Sequence, residues 1–301
     1  MIRSESTRCG IVALIGAPNS GKSTLINRVL GSKVSIVTHK VQTTRTKVVG
    51  VLTEDNNQII FLDTPGIFTP NRRLEKAMVS AAWVGAADAD QVILMIDSER
   101  GIGEETQLII KGIKNSKKKV YAALNKIDLI PRPQLLELAE NLNFSKCFED
   151  IFMISALKGD GVNALLFTLG ECLPDGPWLY PEDHLSDMND RLFSAEITRE
   201  KLFLSLHQEL PYSLTVETDS WEERRDGSIK INQVIYVERK GHKGIVLGKG
   251  GQQVKRVGAQ SRKDLEQHFG RRIHLFLFVK VRENWREDPE RYREMGLEFA
   301  N

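Results

Sequence analysis

The chain has little cysteine and no long apolar run. Its three cysteines, Cys9, Cys147 and Cys172, are scattered along 301 residues, and neither they nor the six histidines show metal-ligand spacing. A zinc site is therefore not expected, and reduced, partly buried thiols in a cytoplasmic protein are expected. No apolar stretch approaches the roughly 20 residues that cross a bilayer, and residues 1–8 lack the apolar core of a signal peptide. A soluble protein is expected, with peripheral attachment to a membrane left open.

Charge is nearly balanced overall but unevenly distributed. Residues 1–190 carry 21 basic and 23 acidic side chains, whereas residues 191–301 carry 21 basic and 17 acidic ones. The segment from Arg239 to Arg272 holds ten basic residues against two acidic ones. Such a stripe indicates a polyanionic partner, with a solvated basic face as the alternative. The length of the chain favours two domains.

Short apolar runs alternate with helix-like segments in the first half of the chain. Strands are predicted over Ile11–Ile15, Ile59–Leu62, Val92–Ile96, Val120–Leu124 and Ile151–Ile154, with Val48–Leu52 as an edge strand. Helices are predicted over Ser23–Leu30, Glu104–Lys114 and Gln134–Leu142. Continuous apolar strands that alternate with helices are typical of βαβ units in a parallel sheet. The fold class expected here is therefore a doubly wound α/β domain, over residues 8–174.

A different architecture follows a proline-rich acidic segment at residues 175–190, which is predicted to be a linker. The elements beyond it are predicted to be a helix over Asp190–Leu210, strands over Tyr212–Val216 and Ile229–Val237, helices over Lys243–Val246 and Gln252–Phe269, and a strand over Ile273–Val281. This order is typical of a smaller α+β domain, placed at residues 191–283. Residues 284–301 are predicted to be a C-terminal tail.

A phosphate loop joins the first strand to the first helix. It reads Gly16-Ala17-Pro18-Asn19-Ser20-Gly21-Lys22-Ser23 and matches G-x-x-x-x-G-K-[ST] in the required context. Backbone N–H groups of such a loop converge on phosphate oxygens at the start of the helix. Lys22 is predicted to bridge the β- and γ-phosphates, and Ser23 to ligate Mg²⁺. An ATPase or a kinase has the same loop, so the base must be identified elsewhere.

The segment Asn125-Lys126-Ile127-Asp128 identifies the base. The carboxylate of Asp128 can accept two hydrogen bonds from N1–H and the 2-amino group of guanine, and adenine offers neither donor. Asn125 can offer an amide to the purine N7 and brace the loop, and Lys126 can lay its methylene stem over the base. A solvated loop at the end of a strand is the alternative for this segment alone. The phosphate loop, Asp63 and the order of the strands together favour the guanine site.

Three further segments complete a nucleotide site. They are Asp63-Thr64-Pro65-Gly66, Thr43-Thr44-Arg45 and Ser155-Ala156. Asp63 can hold a water of the Mg²⁺ shell, Thr44 offers a hydroxyl for a remaining Mg²⁺ position, and the Gly66 N–H can face the γ-phosphate. The Ala156 N–H can face the guanine O6. Alone, Asp63–Gly66 would be interpreted as a turn, Thr43–Arg45 would be weak evidence and Ser155-Ala156 would carry no information.

In order and spacing these five segments resemble the guanine-nucleotide motifs of the P-loop GTPases. The resemblance implies binding of GTP and GDP with Mg²⁺, and a catalytic set of Asn19, Lys22, Thr44 and Gly66. In relatives with Pro-Asn in the phosphate loop the asparagine helps to bind K⁺, which implies the same role for Asn19. The chain departs from the signalling GTPases at Ile67, where those enzymes have a water-orienting glutamine. Slow intrinsic hydrolysis is expected, assisted by K⁺, a backbone-held water or a docked partner.

The second domain contains a G-x-x-G segment between two predicted helices. It reads Gly248-Lys249-Gly250-Gly251, and the helix after it carries Lys255, Arg256, Arg262 and Lys263. Of these four, the first three are assigned to RNA together with the four residues of the turn. Such a turn lets a nucleic-acid backbone pass close to the main chain, as in the clamp of KH domains. The element order resembles the type II KH fold, and these seven residues are predicted to bind RNA. Ile245, Val246 and Val254 are predicted to line a groove for single-stranded bases. A plain structural turn is the alternative.

The whole chain resembles the bacterial Era GTPase family. The segments that carry the resemblance are residues 18–23, Gln42–Arg45, Asp63–Ile67, Glu209–Ser213 and Ala259–Asp264. The family implies binding near the 3′ end of 16S ribosomal RNA, a role in maturation of the small (30S) ribosomal subunit, and peripheral association with the inner membrane. A monomeric GTP-hydrolysing switch is expected. A passive RNA-binding module, in which nucleotide serves only structure, is the alternative.

Replacing Asp128 by Asn is expected to move the base preference from guanine to xanthine. The amide of the new residue donates to the 2-oxo group of xanthine, whereas the 2-amino group of guanine loses its acceptor, at a cost of about 1–3 kcal/mol. Competition between GTP and XTP for the variant measures the shift. Unchanged GTP affinity would contradict the guanine interpretation.

Overall fold

The computed structural model of the protein describes residues 7–114 and 118–299. Residues 1–6, part of the N-terminal segment considered above, lie outside the described residues. The described chain forms two compact units. The first unit contains residues 7–35, 44–187 and 295–299, and the second contains residues 36–43 and 188–294. The domain bounds stated above remain a prediction, and residues 284–294 of the predicted tail belong to the second unit.

The first unit is a mixed sheet with helices on both faces. Its strands are β1 (Arg8–Gly16), β2 (Val48–Glu54), β3 (Asn57–Asp63), β4 (Gln91–Asp97), β5 (Lys119–Asn125) and β6 (Ile151–Met153). Its helices are α1 (Lys22–Leu30), α2 (Arg73–Asp88), α3 (Glu104–Ile113), α4 (Arg132–Asn143) and α5 (Val162–Glu171). The strand order is β2-β3-β1-β4-β5-β6, with β2 antiparallel to β3 at the edge and the other pairs parallel.

Alternation along β1 explains why this sheet is covered on both faces. Ala13 and Ile15 belong to one buried cluster, and Val12 and Leu14 belong to the other. All four side chains are fully buried, because successive residues of a strand point to opposite faces. Strand β1 is therefore apolar without interruption from Ile11 to Ile15, which made it recognisable in the sequence.

The parallel arrangement brings the ends of several strands to one edge. Leu14 of β1 is paired with Asp63, the last residue of β3, and Asp97 at the end of β4 is paired with Asn125 at the end of β5. Ligands of open α/β sheets bind at this carboxyl edge. The polar residues of the predicted nucleotide site are thus brought together by the strand register.

The expected fold class is confirmed, and all six predicted strands of the first unit are present. Two helices, α2 and α5, were not predicted. Helix α2 is rich in small residues, from Ala77 to Ala87, and α5 is apolar on most sides, so neither shows a clear amphipathic period. Both helices cover the faces of the sheet. Their formation depends on this tertiary packing and not on a pattern visible in the sequence.

The second unit is a three-stranded sheet covered by helices. Its elements are α6 (Asp190–Ser205), β7 (Leu214–Glu223), β8 (Ile229–Val237), α7 (Lys240–Leu247), α8 (Gln252–Phe269), β9 (Ile273–Val281) and α9 (Pro289–Glu294). The sheet order is β7-β8-β9, with β7 antiparallel and β9 parallel to β8. Leu202, Ile235, Val246, Val257 and Val279 form part of its core. Among the helices of the described residues, none is long and apolar enough to cross a membrane.

The prediction was wrong at one junction of the second unit. Helix α6 ends at Ser205 instead of Leu210, because Leu206 is extended and buried. Strand β7 begins at Leu214 instead of Tyr212, because Pro211–Ser213 forms a turn of 3₁₀ helix. Proline at the start of a helical turn has the required backbone angle and no N–H to leave unsatisfied. The structural consequence is that residues 206–213 connect the helix to the sheet.

Residues 36–43 belong to the second unit, although the residues before and after them in the chain belong to the first unit. Ile36 is buried in a cluster with Phe193, Ile197 and Leu265. The Val37 N–H donates to Oε1 of Glu200 at 3.0 Å. The segment is thus anchored on α6 by both apolar packing and hydrogen bonding.

Replacing Trp285 by Ala is expected to destabilise the second unit. Trp285 lies in the predicted tail, yet it is 1% exposed and its Nε1–H donates to the Ser213 carbonyl at 3.3 Å. Truncation of a buried tryptophan costs about 3–5 kcal/mol. Amide hydrogen exchange in β7 and β8 measures the loss. Phe276→Ala is the control, because Phe276 is 46% exposed. Equal protection in both variants would contradict a structural role for residue 285.

Candidate functional site

The phosphate loop is held in a conformation that few residues tolerate. Asn19 has φ 66° and Gly21 has φ 99°, both in the left-handed region. The Ser20 N–H donates to the Ala17 carbonyl at 3.3 Å and closes the turn. A Cβ atom on Gly21 would lie 2.1 Å from Nδ2 of Asn125. Glycine is therefore required at position 21, for backbone conformation and for space.

Lys22 is the first residue of α1 and lies almost fully inside the loop. Its side chain is 6% exposed, and Nζ donates to the carbonyls of Gly16 and Ala17, each at 3.1 Å. Burial lowers the pKa of Lys22 to about 8, and the carboxylates of Asp63 and Glu105 partly oppose the shift. A buried ammonium group held by neutral carbonyls suits an anionic ligand, because phosphate oxygens supply the missing negative charge.

Hydroxyl groups converge on one oxygen of Asp63. Oδ2 accepts from Ser23 Oγ at 2.6 Å, from Ser35 Oγ at 2.8 Å and from Thr44 Oγ1 at 3.5 Å. Ser23 and Thr44 are also 3.0 Å apart. The three residues predicted to hold the metal, Ser23, Thr44 and Asp63, are therefore neighbours in the structure.

This cluster has the chemistry of a site for a hard divalent cation. Asp63 is completely buried, and its Oδ1 has no hydrogen-bond partner among the described residues. Burial raises the pKa of Asp63, although hydrogen bonds from Ser23, Ser35 and Thr44 and the charge of Lys22 oppose the rise. A cation compensates a buried carboxylate, and Mg²⁺ prefers a carboxylate with hydroxyl and water oxygens. The donor set fits Mg²⁺.

The side-chain amide of Asn125 connects two loops of the site. Its Nδ2 donates to the Ser20 carbonyl at 2.8 Å, and its Oδ1 accepts from the Ala156 N–H at 2.9 Å. Asn125 is 2% exposed. Through these two contacts Asn125 braces the loop, as predicted. Donation by Asn125 to the purine, and by Ala156 to the guanine O6, remain predictions.

The two charged residues of the base segment are held by ion pairs. Lys126 has φ 65°, and its Nζ lies 2.5 Å from Oδ2 of Asp97. Asp128 lies 3.6 Å from Nζ of Lys158. A hydrogen bond from the Ser155 hydroxyl lowers the pKa of Asp128. Asp128 is therefore an ionised, acceptor-only group at neutral pH, as recognition of guanine requires.

The loop after β3 is fixed to the phosphate loop through backbone contacts. The Thr64 hydroxyl donates to the Leu14 carbonyl at 2.7 Å, so this side chain holds the loop on β1. A Cβ on Gly66 would lie 2.9 Å from the Pro18 Cα, so the two loops touch here. Ile67 is fully buried, and its N–H donates to the Gly16 carbonyl at 3.0 Å. Pro65 lies between these anchors.

Three residues of this site were missed in the sequence. Asp97 positions Lys126, Ser35 donates to Asp63, and Arg28 Nε donates to the Ala156 carbonyl at 3.4 Å. Asp97 could have been predicted from the sequence, because it directly follows the apolar run Val92–Ile96, just as Asn125 follows Val120–Leu124. No comparable signal marks Ser35 or Arg28, because their roles depend on contacts across the fold.

The G-x-x-G segment of the second unit joins α7 to α8 through a short 3₁₀ turn. Gly248, Gly250 and Gly251 have φ angles of 72°, 58° and 78°. A Cβ on Gly248 would lie 2.6 Å from Cβ of Gln253, so this glycine is required for space. Lys249 is exposed at the tip. The expected helix–turn–helix clamp is therefore present.

The predicted RNA-binding side chains of α8 point to solvent. Lys255, Arg256 and Arg262 are all exposed. Ile245 is 59% exposed and is available to bases, but Val246 is 0% exposed and packs in the core. The expectation that Val246 lines a groove for bases is therefore wrong. Helix α7 has one apolar face, and Val246 lies on it.

Comparison with known families agrees with this division of the chain. Residues 11–126 match the family model described as 50S ribosome-binding GTPase, and residues 209–286 match the KH domain model. The first match spans the phosphate loop and reaches Lys126. The second contains the Gly248–Gly251 clamp.

Similarity to curated proteins extends over nearly the whole chain. GTPase Era of Sinorhizobium medicae is 58% identical over 293 residues, which are 97% of this chain and 94% of the relative. GTPase Era of Agrobacterium fabrum is 57% identical over 293 residues, 97% and 92% of the two chains. The chain belongs to the GTPase Era family. Membership confirms the resemblance and makes the protein a GTPase with a KH domain.

Two solved Era structures share the whole architecture. Era in complex with MgGDPNP and nucleotides 1506–1542 of 16S ribosomal RNA has a TM-score of 0.92 and 39% identity, over 98% of this chain and all of that one. A variant of Aquifex aeolicus Era bound to GDP.AlF4⁻ has a TM-score of 0.92 and 38% identity, with the same coverage. The fold of both units is therefore that of the Era family.

Nucleotide binding is expected to take up protons above pH 8. The pKa of Lys22 is about 8 without nucleotide, and phosphate oxygens favour its charged form. Below about pH 7 Lys22 is charged in both states, whereas above pH 8 binding must recharge it. GTP affinity then falls by up to about tenfold per pH unit. Calorimetry at pH 8.5 in two buffers of different ionisation enthalpy measures the uptake.

Lys22→Arg is the control for this experiment, because a guanidinium stays protonated. Weaker binding without proton uptake is expected for that variant. A binding enthalpy of the unmodified protein that is independent of the buffer at pH 8.5 would contradict the lowered pKa.

Proposed function

We propose that this protein is a GTP-hydrolysing switch that binds 16S ribosomal RNA near its 3′ end and assists maturation of the small (30S) ribosomal subunit. The observation that carries the proposal is the presence, in one chain, of a phosphate loop bound by Asn125 of the segment that contains Asp128, and of the exposed turn at Lys249. Era solved with MgGDPNP and nucleotides 1506–1542 of 16S ribosomal RNA supports the same ligands here.

The hydrolytic site works by positioning and charge. Lys22 Nζ is now held by the carbonyls of Gly16 and Ala17, and the phosphates of GTP would give it acceptors of opposite charge. Ser23 and Thr44 would bind Mg²⁺, with Asp63 holding one of its waters, and the ion would neutralise charge on the β- and γ-phosphates. The Gly66 N–H faces the γ-phosphate in the proposed complex.

Slow intrinsic turnover is part of the proposal. Ile67 is fully buried, and its one polar contact is through the backbone, so its side chain cannot orient an attacking water. Asn19 is proposed to bind K⁺ near the phosphates. Asn19 has a left-handed backbone conformation and lies within the turn of the phosphate loop. Assistance then comes from K⁺, a backbone-held water or a docked partner.

The nucleotide state is proposed to reach the RNA-binding unit through residues 36–43. This segment belongs to the second unit, where Val37 donates to Glu200 and Arg199 donates to the Thr43 carbonyl. The next residue is Thr44, whose hydroxyl lies 3.0 Å from that of Ser23 at the proposed metal position. Loss of the γ-phosphate and a shift of Thr44 would therefore act directly on a segment anchored to α6.

RNA binding is assigned to the clamp and the exposed basic residues of α8. Lys249 faces phosphate, and Lys255, Arg256 and Arg262 extend the positive surface beyond it. The small ribosomal subunit as the assembly partner, a monomeric state and peripheral attachment to the inner membrane are further parts of the proposal, implied by the family.

Crosslinking to total RNA in the presence of GTP or GDP, followed by mapping of the sites, tests this function. Enrichment of the 3′ region of 16S ribosomal RNA that depends on the nucleotide is expected. Lys249→Asp is expected to abolish the enrichment, because it reverses a charge at the tip of the clamp. Arg225→Asp is the matched control, since Arg225 is also exposed and lies in the β7–β8 turn of the same unit.

Three outcomes would overturn parts of the proposal. Recovery without ribosomal RNA would remove the role in subunit maturation. Equal recovery with GTP and GDP would leave a passive RNA-binding module. Displacement of labelled GTP by excess ATP would favour a P-loop ATPase or kinase.

A further inference from the structure

A second basic feature lies beside the clamp in the second unit. It is a cavity of about 510 Å³ between the C-terminal half of α6 and the outer face of α8, and we call it the α6–α8 cavity. The lining residues used below are Lys201, Ser205, Arg256, Gln260, Lys263 and Asp264. Of these, only Arg256 is among the residues that the sequence analysis assigned to RNA.

The α6–α8 cavity is continuous with the start of α8. Helix α8 begins at Gln252, directly after the clamp. Gln253 Nε2 donates to the Ser205 carbonyl at 3.2 Å, and Arg256 Nη2 donates to Gln253 Oε1 at 2.9 Å. These bonds connect the first turn of α8 to the end of α6. A strand that leaves the clamp along α8 therefore meets the mouth of the cavity.

The polar groups of α8 that line the cavity form one stripe. Arg256, Gln260 and Lys263 are separated by four and three residues, so they project from the same face of the helix. The stripe is about 10 Å long at 1.5 Å per residue. All three side chains are exposed. This length accommodates one or two further phosphates of an extended strand.

The cavity is positively charged. Asp264, its acidic lining residue, lies 2.5 Å from Nζ of Lys201, which is also 3.0 Å from Glu200. These three ions carry a net charge of −1, and Arg256 and Lys263 bring the whole group to +1. Arg256 is bonded to a neutral amide, and Lys263 is exposed on the same face. The uncompensated charge is therefore cationic and spaced along a helix, which suits a polyanionic backbone.

We propose that the α6–α8 cavity extends the RNA site and binds the phosphates of nucleotides adjacent to those in the clamp. Arg256 and Lys263 are the phosphate contacts, and Gln260 is a hydrogen-bond donor between them. A KH clamp holds about four nucleotides, so a longer strand needs a further surface. The inference rests on the proposed RNA-binding function and assigns Gln260 and Lys263 to it.

RNAs of two lengths distinguish binding at the α6–α8 cavity from binding at the clamp. The ligands are a 5-nucleotide RNA, sufficient for the clamp, and a 15-nucleotide RNA that extends it at both ends, each taken from the crosslinked segment. The full-length protein is expected to bind the longer RNA more tightly. The double variant R256Q/K263Q is expected to lose about 25-fold in affinity for the longer RNA at about 0.1 M salt, and its salt slope is expected to fall by about 1.4.

The 5-nucleotide RNA is expected to lose less than about threefold in the double variant, because the clamp itself is unchanged. Lys263→Gln alone is expected to lose about fivefold on the longer RNA, corresponding to one phosphate contact. R224Q/R225Q is the matched control, because it removes two exposed charges at the β7–β8 turn of the same unit. Thermal melting of all variants checks the fold.

Equal losses on both RNAs, or a double variant that binds as the R224Q/R225Q control does, would overturn the cavity proposal. Failure of the unmodified protein to bind either RNA would instead overturn the proposed function. The two failures are therefore distinguishable.

Discussion

The hydrogen bonds of the Asn125 side chain hold the nucleotide site together. One amide group binds the Ser20 carbonyl of the phosphate loop and the Ala156 N–H after β6. The contact requires Gly21, since a Cβ there would lie 2.1 Å from Nδ2 of Asn125. Phosphate binding and base recognition are thereby fixed in one geometry. The parallel pairing of β4 and β5 places Asp97 opposite Asn125. Asp97 also forms an ion pair with Lys126 and so positions this residue of the base segment.

Buried charges in the site are balanced only in part by the protein. Lys22 is held by neutral carbonyls, and Asp63 has one oxygen without a partner among the described residues. Burial lowers the pKa of the lysine and raises that of the aspartate. A nucleotide with its cation supplies the opposite charges at both positions. The nucleotide is thus expected to stabilise the loops that it binds.

The clamp of the second unit depends on backbone conformation, and basic residues are exposed along the helix that follows it. The clamp requires Gly248, whose φ of 72° and contact with Gln253 exclude a larger residue. Gln253 in turn links α8 to α6 through the Ser205 carbonyl. The clamp and the α6–α8 cavity therefore share a structural support. RNA bound at both would be held by one rigid pair of helices.

The sequence by itself determined the fold class and the family, and it predicted a nucleotide site whose residues the fold brings together, because loops such as Gly16–Ser23 carry their chemistry in adjacent residues. It also located β8, α8 and β9 at the bounds seen in the structure. It could not determine the partners of Asp97, the burial of Val246 or the α6–α8 cavity. These depend on which faces and strand ends meet in space, and only tertiary packing decides that.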